Sequence, residues 1–173
     1  RTAEMGCCDL SRPPHEYLTD LMTELDSVMP GIDLLVNNAG TYIDVPFLEM
    51  DWHRYQTTMH LNVASGYFLT QAISRRWVRD QVGGRVVFTG SINGFLAEQD
   101  HSVYDTSKGA VAAMVRSLCV SLAPHGIRVN SMAPGLVRSP LTTPAIESGQ
   151  LDEWMRYHTP NGQVPEADVC AGT

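Results

Sequence analysis

Lysine, paired cysteines and long apolar runs are scarce or missing in this sequence of 173 residues, and each absence narrows the function. No apolar run approaches the roughly 20 residues that a membrane helix needs, so a membrane protein is not expected. Twelve basic residues stand against 19 acidic ones, and the net charge of −7 argues against nucleic acid as a partner. The 43% of hydrophobic residues can fill the core of one globular domain, which we expect to span residues 1–173.

The cysteines predict neither a metal site nor a disulfide framework. Cys7 and Cys8 are adjacent, Cys119 and Cys170 are isolated, and no C-x-x-C motif occurs. We therefore expect no bound metal, and buried, reduced thiols in a soluble cytoplasmic protein.

Short apolar segments alternate with longer amphipathic ones along the chain. Residues 32–36, 85–89 and 127–130 are rich in β-branched side chains and follow glycine-containing turns, which predicts buried strands. Apolar residues at helical spacing predict helices over 14–27, 50–80 and 103–123. This alternation predicts an α/β fold in which helices cover both faces of a parallel sheet.

Regularity fades after the third predicted strand. Residues 138–162 are rich in Pro, Thr, Ser and Gly and contain one short helical candidate, over 151–157. We interpret 138–162 as a loop that covers a substrate site within the single domain.

Lys108 is the only lysine in the sequence, and it follows Tyr104 by four residues on a predicted helix. Residues four apart share a helix face, and a cation beside a phenol favours the phenolate and lowers the pKa of the tyrosine. The pair therefore predicts an acid–base unit. Taken alone, the pair is more typical of a solvated surface pair than of an acid–base unit.

Polar residues follow the predicted strands at the ends where open α/β sheets bind ligands. Ser91 follows the second strand, and Asn37-Asn38-Ala39-Gly40 ends the first. Each motif alone is compatible with an ordinary turn. His101, three residues before Tyr104, is interpreted as a solvated loop histidine, with a position facing the substrate as the alternative.

Taken together and in order, these motifs resemble those of the short-chain dehydrogenase/reductase family. The resemblance covers nearly the whole chain and implies a Rossmann-like doubly wound parallel sheet that binds NAD or NADP. It further implies hydride transfer between the nicotinamide and a secondary alcohol or ketone, with Tyr104 as general acid–base. The implied catalytic residues are Asn62, Ser91, Tyr104 and Lys108. The implied cofactor-binding residues are Asp9, Asn37, Ala39, Gly40, Tyr104, Lys108, Pro134, Gly135, Val137 and Ser139.

Three of these implied roles are specific. Asn62 would hold a water that links Lys108 to solvent, and Asp9 would approach the adenine or, equally, start the following helix. Ser139 stands where many family members have threonine, which keeps a hydroxyl at that position.

The glycine-rich pyrophosphate loop of this family is missing from the sequence, which contains neither T-G-x-x-x-G-x-G nor G-x-G-x-x-G. We therefore expect a partial domain that lacks the first strands and the last strand of the family fold. An exposed sheet edge and weak dinucleotide binding by this chain alone are the expected consequences. The resemblance also implies a homodimer or homotetramer built on helices 50–80 and 103–123.

Three functions follow, in decreasing order of support. The first is an NAD(P)-dependent oxidoreductase. The second is a non-catalytic remnant or binding protein that has lost the pyrophosphate loop. The third is a serine hydrolase, which Gly90-Ser91-Ile92-Asn93-Gly94 resembles only superficially, because the serine lies one position too early for G-x-S-x-G.

Overall fold

The computed structural model describes residues 5–29, 31–149, 151–159 and 161–172. Three parallel strands, β1 (Leu34–Asn37), β2 (Arg85–Thr89) and β3 (Arg128–Met132), form a sheet in the order β1-β2-β3. The long helices are α1 (Leu18–Val28), α2 (Trp52–Met59), α3 (Ser65–Arg79) and α4 (Ser102–Leu122). Two short helices follow β3, namely α5 (Thr143–Glu147) and α6 (Asp152–His158). The predicted α/β fold with a parallel, Rossmann-like sheet is confirmed.

Helix and strand limits differ slightly from the predicted ones, for local reasons. Pro14–Glu16 forms a 3₁₀ turn, so α1 starts at Leu18 rather than at residue 14. The carbonyl of Ile32 accepts a hydrogen bond from Trp77 Nε1 at 2.7 Å, and β1 begins two residues later. Gly126, at φ 71°, ends the 3₁₀ turn after α4 in a left-handed conformation that glycine adopts without strain.

The buried core lies on one face of the sheet. Val86 and Phe88 of β2 and Val129 of β3 pack in one cluster with side chains of α1, α3 and α4. Residues that alternate with them point to the other face, where Leu34 and Val36 remain 47% and 52% exposed. Within the described ranges, the long helices that build the core thus cover one face, whereas the sequence predicted helices on both.

The first strand also has an open edge. Every backbone pairing of β1 recorded for the described part of the chain is with β2, from Leu34 opposite Arg85 to Asn37 opposite Phe88. This agrees with the exposed sheet edge that the sequence predicts.

The predicted helix over 50–80 is interrupted in its middle. Asp51 caps α2 by accepting a hydrogen bond from the backbone N–H of Arg54 at 2.8 Å. His60–Ala64 then form a π-helical turn before α3 continues the same helical path. Such turns often occur at functional sites, and this one contains Asn62.

The predicted loop 138–162 is partly helical, because α5 and α6 both fall within it. Arg138 makes an isolated parallel bridge to Glu166 and an ion pair with it at 3.2 Å, which ties the start of this segment to the chain beyond it. Gln150 and Pro160, two positions of the predicted loop, lie outside the described residues, as do residues 1–4 and Thr173 of the predicted domain.

The prediction of buried thiols is wrong. Cys7 and Cys119 are exposed, and Cys8 and Cys170 are half-buried. Cys119 lies on the solvent side of α4, a position that helical periodicity does not distinguish from the core when the neighbouring residues are also apolar. In the described residues, no helix has the length and apolar character needed to cross a lipid bilayer.

Candidate functional site

A cavity of about 350 Å³ lies at the carboxyl ends of the three strands. This volume falls within the range of small-molecule sites in proteins. The cavity is lined by residues that follow β1, β2 and β3, by the first turns of α4 and by the segment after residue 138. Those lining residues are Asn38, Gly40, Thr41, Tyr42, Thr89, Gly90, Ser91, Ile92, Asn93, Glu98, His101, Tyr104, Lys108, Pro134, Gly135, Leu136, Val137, Ser139, Leu141, Thr142, Ala145, Leu151 and Trp154.

Ser91 and Tyr104 meet on the wall of this cavity. Ser91 follows β2 directly and caps a 3₁₀ turn, where its Oγ accepts a hydrogen bond from the backbone N–H of Asn93 at 3.1 Å. The phenol of Tyr104, which projects from the start of α4, lies close enough to this hydroxyl for Ser91 to oppose the rise of the tyrosine pKa. A β-carbon on Gly94 would lie 3.0 Å from the carbonyl oxygen of Lys108, so a glycine allows this turn to pack closely on α4. A substrate oxygen in this position could contact both hydroxyls.

Lys108 is only 7% exposed and lies beside the tyrosine. Its Nζ donates to the carbonyl of Thr89 at 2.9 Å and sits 5.6 Å from the centre of the Tyr104 ring. A β-carbon on Gly40 would lie 3.9 Å from this Nζ, which brings the end of the Asn-Asn-Ala-Gly motif to the ammonium group. The buried position differs from the solvated surface pair that the spacing alone allows.

Asn62 ties the segment after β1 to α4. Its Oδ1 accepts a hydrogen bond from the Thr41 N–H at 2.8 Å, and its Nδ2 donates to the Thr41 carbonyl and to Ser107 Oγ, both at 2.9 Å. The side chain lies behind the main cavity and does not line it. Because both of its N–H donors are engaged, the predicted water contact of Asn62 would have to use other atoms of this residue.

Burial controls the protonation of the two central groups. It raises the pKa of Tyr104, and Ser91 opposes this rise only in part. It also lowers the pKa of Lys108, because the ammonium loses hydration without gaining a carboxylate partner. The sequence predicts that Lys108 lowers the pKa of Tyr104. In this structure burial of the phenol dominates and raises the pKa of Tyr104, and Ser91 rather than Lys108 is the group that acts to lower it.

The structure brings most of the predicted cofactor residues to the cavity. Gly40, Tyr104 and Lys108 line it. Four predicted residues that follow β3 line it as well, namely Pro134, Gly135, Val137 and Ser139. The hydroxyl of Ser139 is engaged with Thr142 Oγ1 at 3.1 Å.

Three predicted cofactor residues lie elsewhere. Asn37 donates through Nδ2 to Thr70 Oγ1 on α3 at 3.0 Å, so its side chain points away from the cavity. Together with Ala39 it lines a separate cavity of about 70 Å³ near the open edge of β1. Asp9 is exposed, lines neither cavity and accepts hydrogen bonds from the N–H and hydroxyl of Ser11. That geometry is a local turn, whereas the sequence predicted either an adenine contact or the start of the following helix for Asp9.

The interpretation of His101 as a solvated histidine is wrong. Its side chain is 15% exposed, lines the cavity, and places Nε2 2.5 Å from the hydroxyl of Tyr42. Its Nδ1 lies 2.8 Å from Glu98 Oε2, and Glu98 Oε1 accepts a hydrogen bond from Trp154 Nε1 of α6 at 2.6 Å. The sequence offered two signals, the position of His101 before the tyrosine and the place of Trp154 in the predicted covering loop, and none for Tyr42 or Glu98.

Among the residues that the structure describes, no group of three or more His, Cys, Asp or Glu side chains is arranged to hold a metal ion. The polar groups that line the cavity are hydroxyl, phenol, amide, imidazole, carboxylate and ammonium groups.

Comparison with known proteins finds one family. A family-wide profile of short chain dehydrogenases matches residues 1–149. A tropinone reductase homologue of Arabidopsis thaliana is 36% identical over 162 residues, which are 93% of this chain and 59% of that protein.

Two solved structures share the fold. A gluconate 5-dehydrogenase from Burkholderia cenocepacia, in complex with NADP and tartrate, superposes with a TM-score of 0.87 at 25% identity, covering 95% of this chain and 64% of its own. A 4-hydroxyisoleucine dehydrogenase in complex with NADH has a TM-score of 0.90 at 24% identity, covering 95% and 67%. The chain thus spans about three fifths of the length of the curated relatives that it matches.

Proposed function

Because the chain belongs to the short-chain dehydrogenase family, we propose that it acts as an NAD(P)-dependent oxidoreductase that interconverts a secondary alcohol and a ketone. The observation that carries the proposal is the convergence of Ser91, Tyr104 and Lys108 on one cavity at the carboxyl ends of the strands. An acid–base group, a hydrogen-bond donor for the substrate oxygen and a buried cation are the groups that this reaction requires of the protein.

The cavity fits the nicotinamide half of a dinucleotide. An ammonium group has three donors, and the described residues provide Lys108 with one acceptor, the Thr89 carbonyl. The remaining donors of this buried group suit the hydroxyls of a ribose, and Gly40 leaves space beside them. Pro134, Gly135 and Val137 would contact the nicotinamide ring. When bound, the dinucleotide supplies a hydride to the ketone or accepts one from the alcohol.

The protein groups would handle the proton and the charge on oxygen. In the reducing direction, the Tyr104 phenol donates its proton to the carbonyl oxygen as the carbonyl carbon receives the hydride. Ser91 Oγ donates a hydrogen bond to the same oxygen and stabilises the negative charge that develops on it. In the oxidising direction the phenolate accepts the hydroxyl proton, and the Lys108 ammonium stabilises that phenolate.

The adenine half of the cofactor has less support. Asn37 and Ala39 lie by the small cavity at the edge of β1, and the sequence contains no glycine-rich pyrophosphate turn. We propose either NAD or NADP as the dinucleotide.

A binding protein that has lost catalysis is the less favoured alternative. A buried ammonium without a carboxylate partner is costly to retain, and a protein with no catalytic use for Lys108 would gain stability by replacing it.

The test is hydride transfer by the chain and by its Tyr104→Phe variant, with NADH and NADPH at millimolar concentration and cyclohexanone as the ketone. Phenylalanine removes the proton donor and keeps the ring, whose centroid lies 5.2 Å from that of the Tyr42 ring. We expect the rate to fall by about 10²–10⁴, the usual contribution of general acid–base catalysis. Thr106→Ala serves as the control, because Thr106 is exposed on the same turn of α4. A Tyr104→Phe rate within threefold of the parent would contradict the assigned role.

Three further properties belong to this proposal. The helical segment 138–162 covers the cavity as a substrate lid, since Leu141, Ala145 and Trp154 line the cavity. A homodimer or homotetramer would bury exposed apolar side chains of α3 and α4, such as Tyr67 and Val120, and light scattering tests it. The cytoplasmic location stays a prediction.

A further inference from the structure

One wall of the cavity has no part in the proposed proton and hydride chemistry. Tyr42, Glu98, His101 and Trp154 form this outer wall. The Tyr42 ring meets the Tyr104 ring edge-to-face, with centroids 5.2 Å apart and planes at 79°. A substrate whose oxygen reaches Tyr104 therefore presents its neighbouring atoms to the outer wall.

His101 and the two carboxylates beside it, Glu98 in the outer wall and Asp44 outside the cavity lining, carry a net negative charge whichever protonation state His101 adopts. Its Nδ1 lies 2.8 Å from Glu98 Oε2, and its Nε2 lies 4.0 Å from Asp44 Oδ1. Two carboxylates and one imidazole sum to −2 when the imidazole is neutral and to −1 when it is protonated. Asp105, on the adjoining turn of α4, is a third carboxylate in this region, and its oxygens accept hydrogen bonds from Asn93 Nδ2 and the Glu98 N–H.

No arginine compensates this charge within the described lining of the cavity, and Lys108 is its one ammonium group. Lys108 is held at the Thr89 carbonyl, beside the ring of Tyr104, where the proposed function already employs it. The nearest arginine in sequence, Arg138, is paired with Glu166 outside the cavity. A substrate carboxylate or phosphate would thus face the Glu98 carboxylate without an arginine or a second ammonium group to pair with.

Most of the covering surface is apolar, and its two hydroxyl residues, Ser139 and Thr142, hydrogen-bond each other at 3.1 Å. Leu141, Ala145 and Leu151 line the cavity from the segment after residue 138, and Trp154 adds its indole ring. The indole N–H is engaged with Glu98 Oε1 at 2.6 Å, and one face of the ring stacks on His158 with centroids 4.2 Å apart, so only the rest of the ring can pack against the substrate. Apolar walls of this kind favour compact carbon skeletons over polyhydroxylated ones.

From this wall we infer that the site selects against anionic substrates and takes a compact, largely apolar ketone or secondary alcohol that is uncharged or carries an ammonium group. The inference rests on the proposed function and names its substrate class; a sugar acid is not the expected substrate. Placing a carboxylate near Glu98 should weaken binding by about tenfold or more, the effect of one like-charge contact in a partly hydrated site.

Three cyclohexanones of similar shape test this inference: 4-aminocyclohexanone, 4-oxocyclohexanecarboxamide and 4-oxocyclohexanecarboxylate. Their dissociation constants are measured by ligand-detected NMR with millimolar NADH or NADPH present, and their reduction rates are measured separately. We expect the ammonium compound to bind as well as the amide or better, and the carboxylate to bind at least tenfold more weakly.

Glu98→Gln supplies the decisive variant, because it removes one charge and keeps an oxygen for the Trp154 N–H. It should reduce the discrimination against the carboxylate several-fold, whereas Glu49→Gln, at an exposed glutamate outside the cavity, should leave it unchanged. If Glu98→Gln does not fold, raising the NaCl concentration on the parent chain replaces it, since salt should narrow the same difference.

The outcomes separate the two claims. Equal or tighter binding of the carboxylate, or a ranking that neither Glu98→Gln nor salt alters, overturns the substrate inference even if all three ketones are reduced. A charge-dependent ranking without any reduction supports the inference about the wall and overturns the proposed oxidoreductase instead.

Discussion

Replacing Asn62 by alanine should destabilise the fold more than its small change in volume suggests. The amide is 7% exposed and makes three hydrogen bonds, two to the backbone of Thr41 and one to Ser107 Oγ. Each bond contributes about 0.5–1.5 kcal/mol net, so their loss costs about 1.5–4.5 kcal/mol. Alanine recovers about 0.5 kcal/mol because it is the better helix former. The expected loss is therefore about 1–4 kcal/mol, with a midpoint near 2.5.

Urea unfolding followed by circular dichroism measures this loss. For a domain of this size, about 2.5 kcal/mol corresponds to a decrease in Tm of roughly 5–10 °C. The matched control is Asn38→Ala, because Asn38 is exposed and accepts one hydrogen bond, from Thr89 Oγ1 at 2.9 Å. We expect about 0.5 kcal/mol or less for this control.

An equal effect of the two substitutions would refute the reasoning, since it would mean that the buried amide contributes no more than the exposed one. A further variant, Asn62→Asp, keeps the acceptor for the Thr41 N–H and removes the donors to the Thr41 carbonyl and Ser107. Its stability should therefore fall at least as far as that of the alanine variant, because it also buries a charge.

Three other predictions concern the protonation and ligand binding of the site. Burial raises the pKa of Tyr104 above its ordinary value of 10.0, so the rate of ketone reduction should be independent of pH through the neutral range and decline only at higher pH. The rate of alcohol oxidation should instead increase as the pH rises. Initial rates in both directions check this. Burial lowers the pKa of Lys108 below 10.5, so the unfolded chain binds more protons than the folded chain between the lowered pKa and 10.5. The free energy of unfolding should therefore rise with pH in that window. Urea unfolding at several pH values measures this rise, which should be smaller in Lys108→Met. The chain alone should bind NADH or NADPH weakly, since the sequence carries no glycine-rich pyrophosphate turn, and a micromolar dissociation constant by fluorescence titration would contradict this.

The sequence predicted the features that depend on neighbours along the chain. Short β-branched segments form the three strands, and the periodic segment 103–123 forms α4 within one residue at each end, because local preference and burial agree there. Tyr104 and Lys108 share a helix face because helical geometry relates residues four apart. Ser91 follows its strand directly, so its place at the carboxyl end of the sheet needed only the strand limits.

The tertiary structure alone decided which side chains complete the cavity. Trp154 meets Glu98 across 56 positions of sequence, and His101 meets Tyr42 across 59, distances at which periodicity and motif spacing carry no information. Asn37 turned toward Thr70 for the same reason, because a strand residue points to one face or the other according to the packing of a distant helix.

The one-sided core has a similar origin. The sequence identifies Leu34 and Val36 as apolar strand residues, and apolar residues of a parallel strand are expected to be buried on both faces. Their exposure depends instead on which elements pack against the sheet in space. The sequence by itself determined the strands, the helices and the tyrosine–lysine pair, because these follow from local geometry. The arrangement of the helices and the grouping of charges at the cavity wall were decided by contacts between residues far apart in the chain.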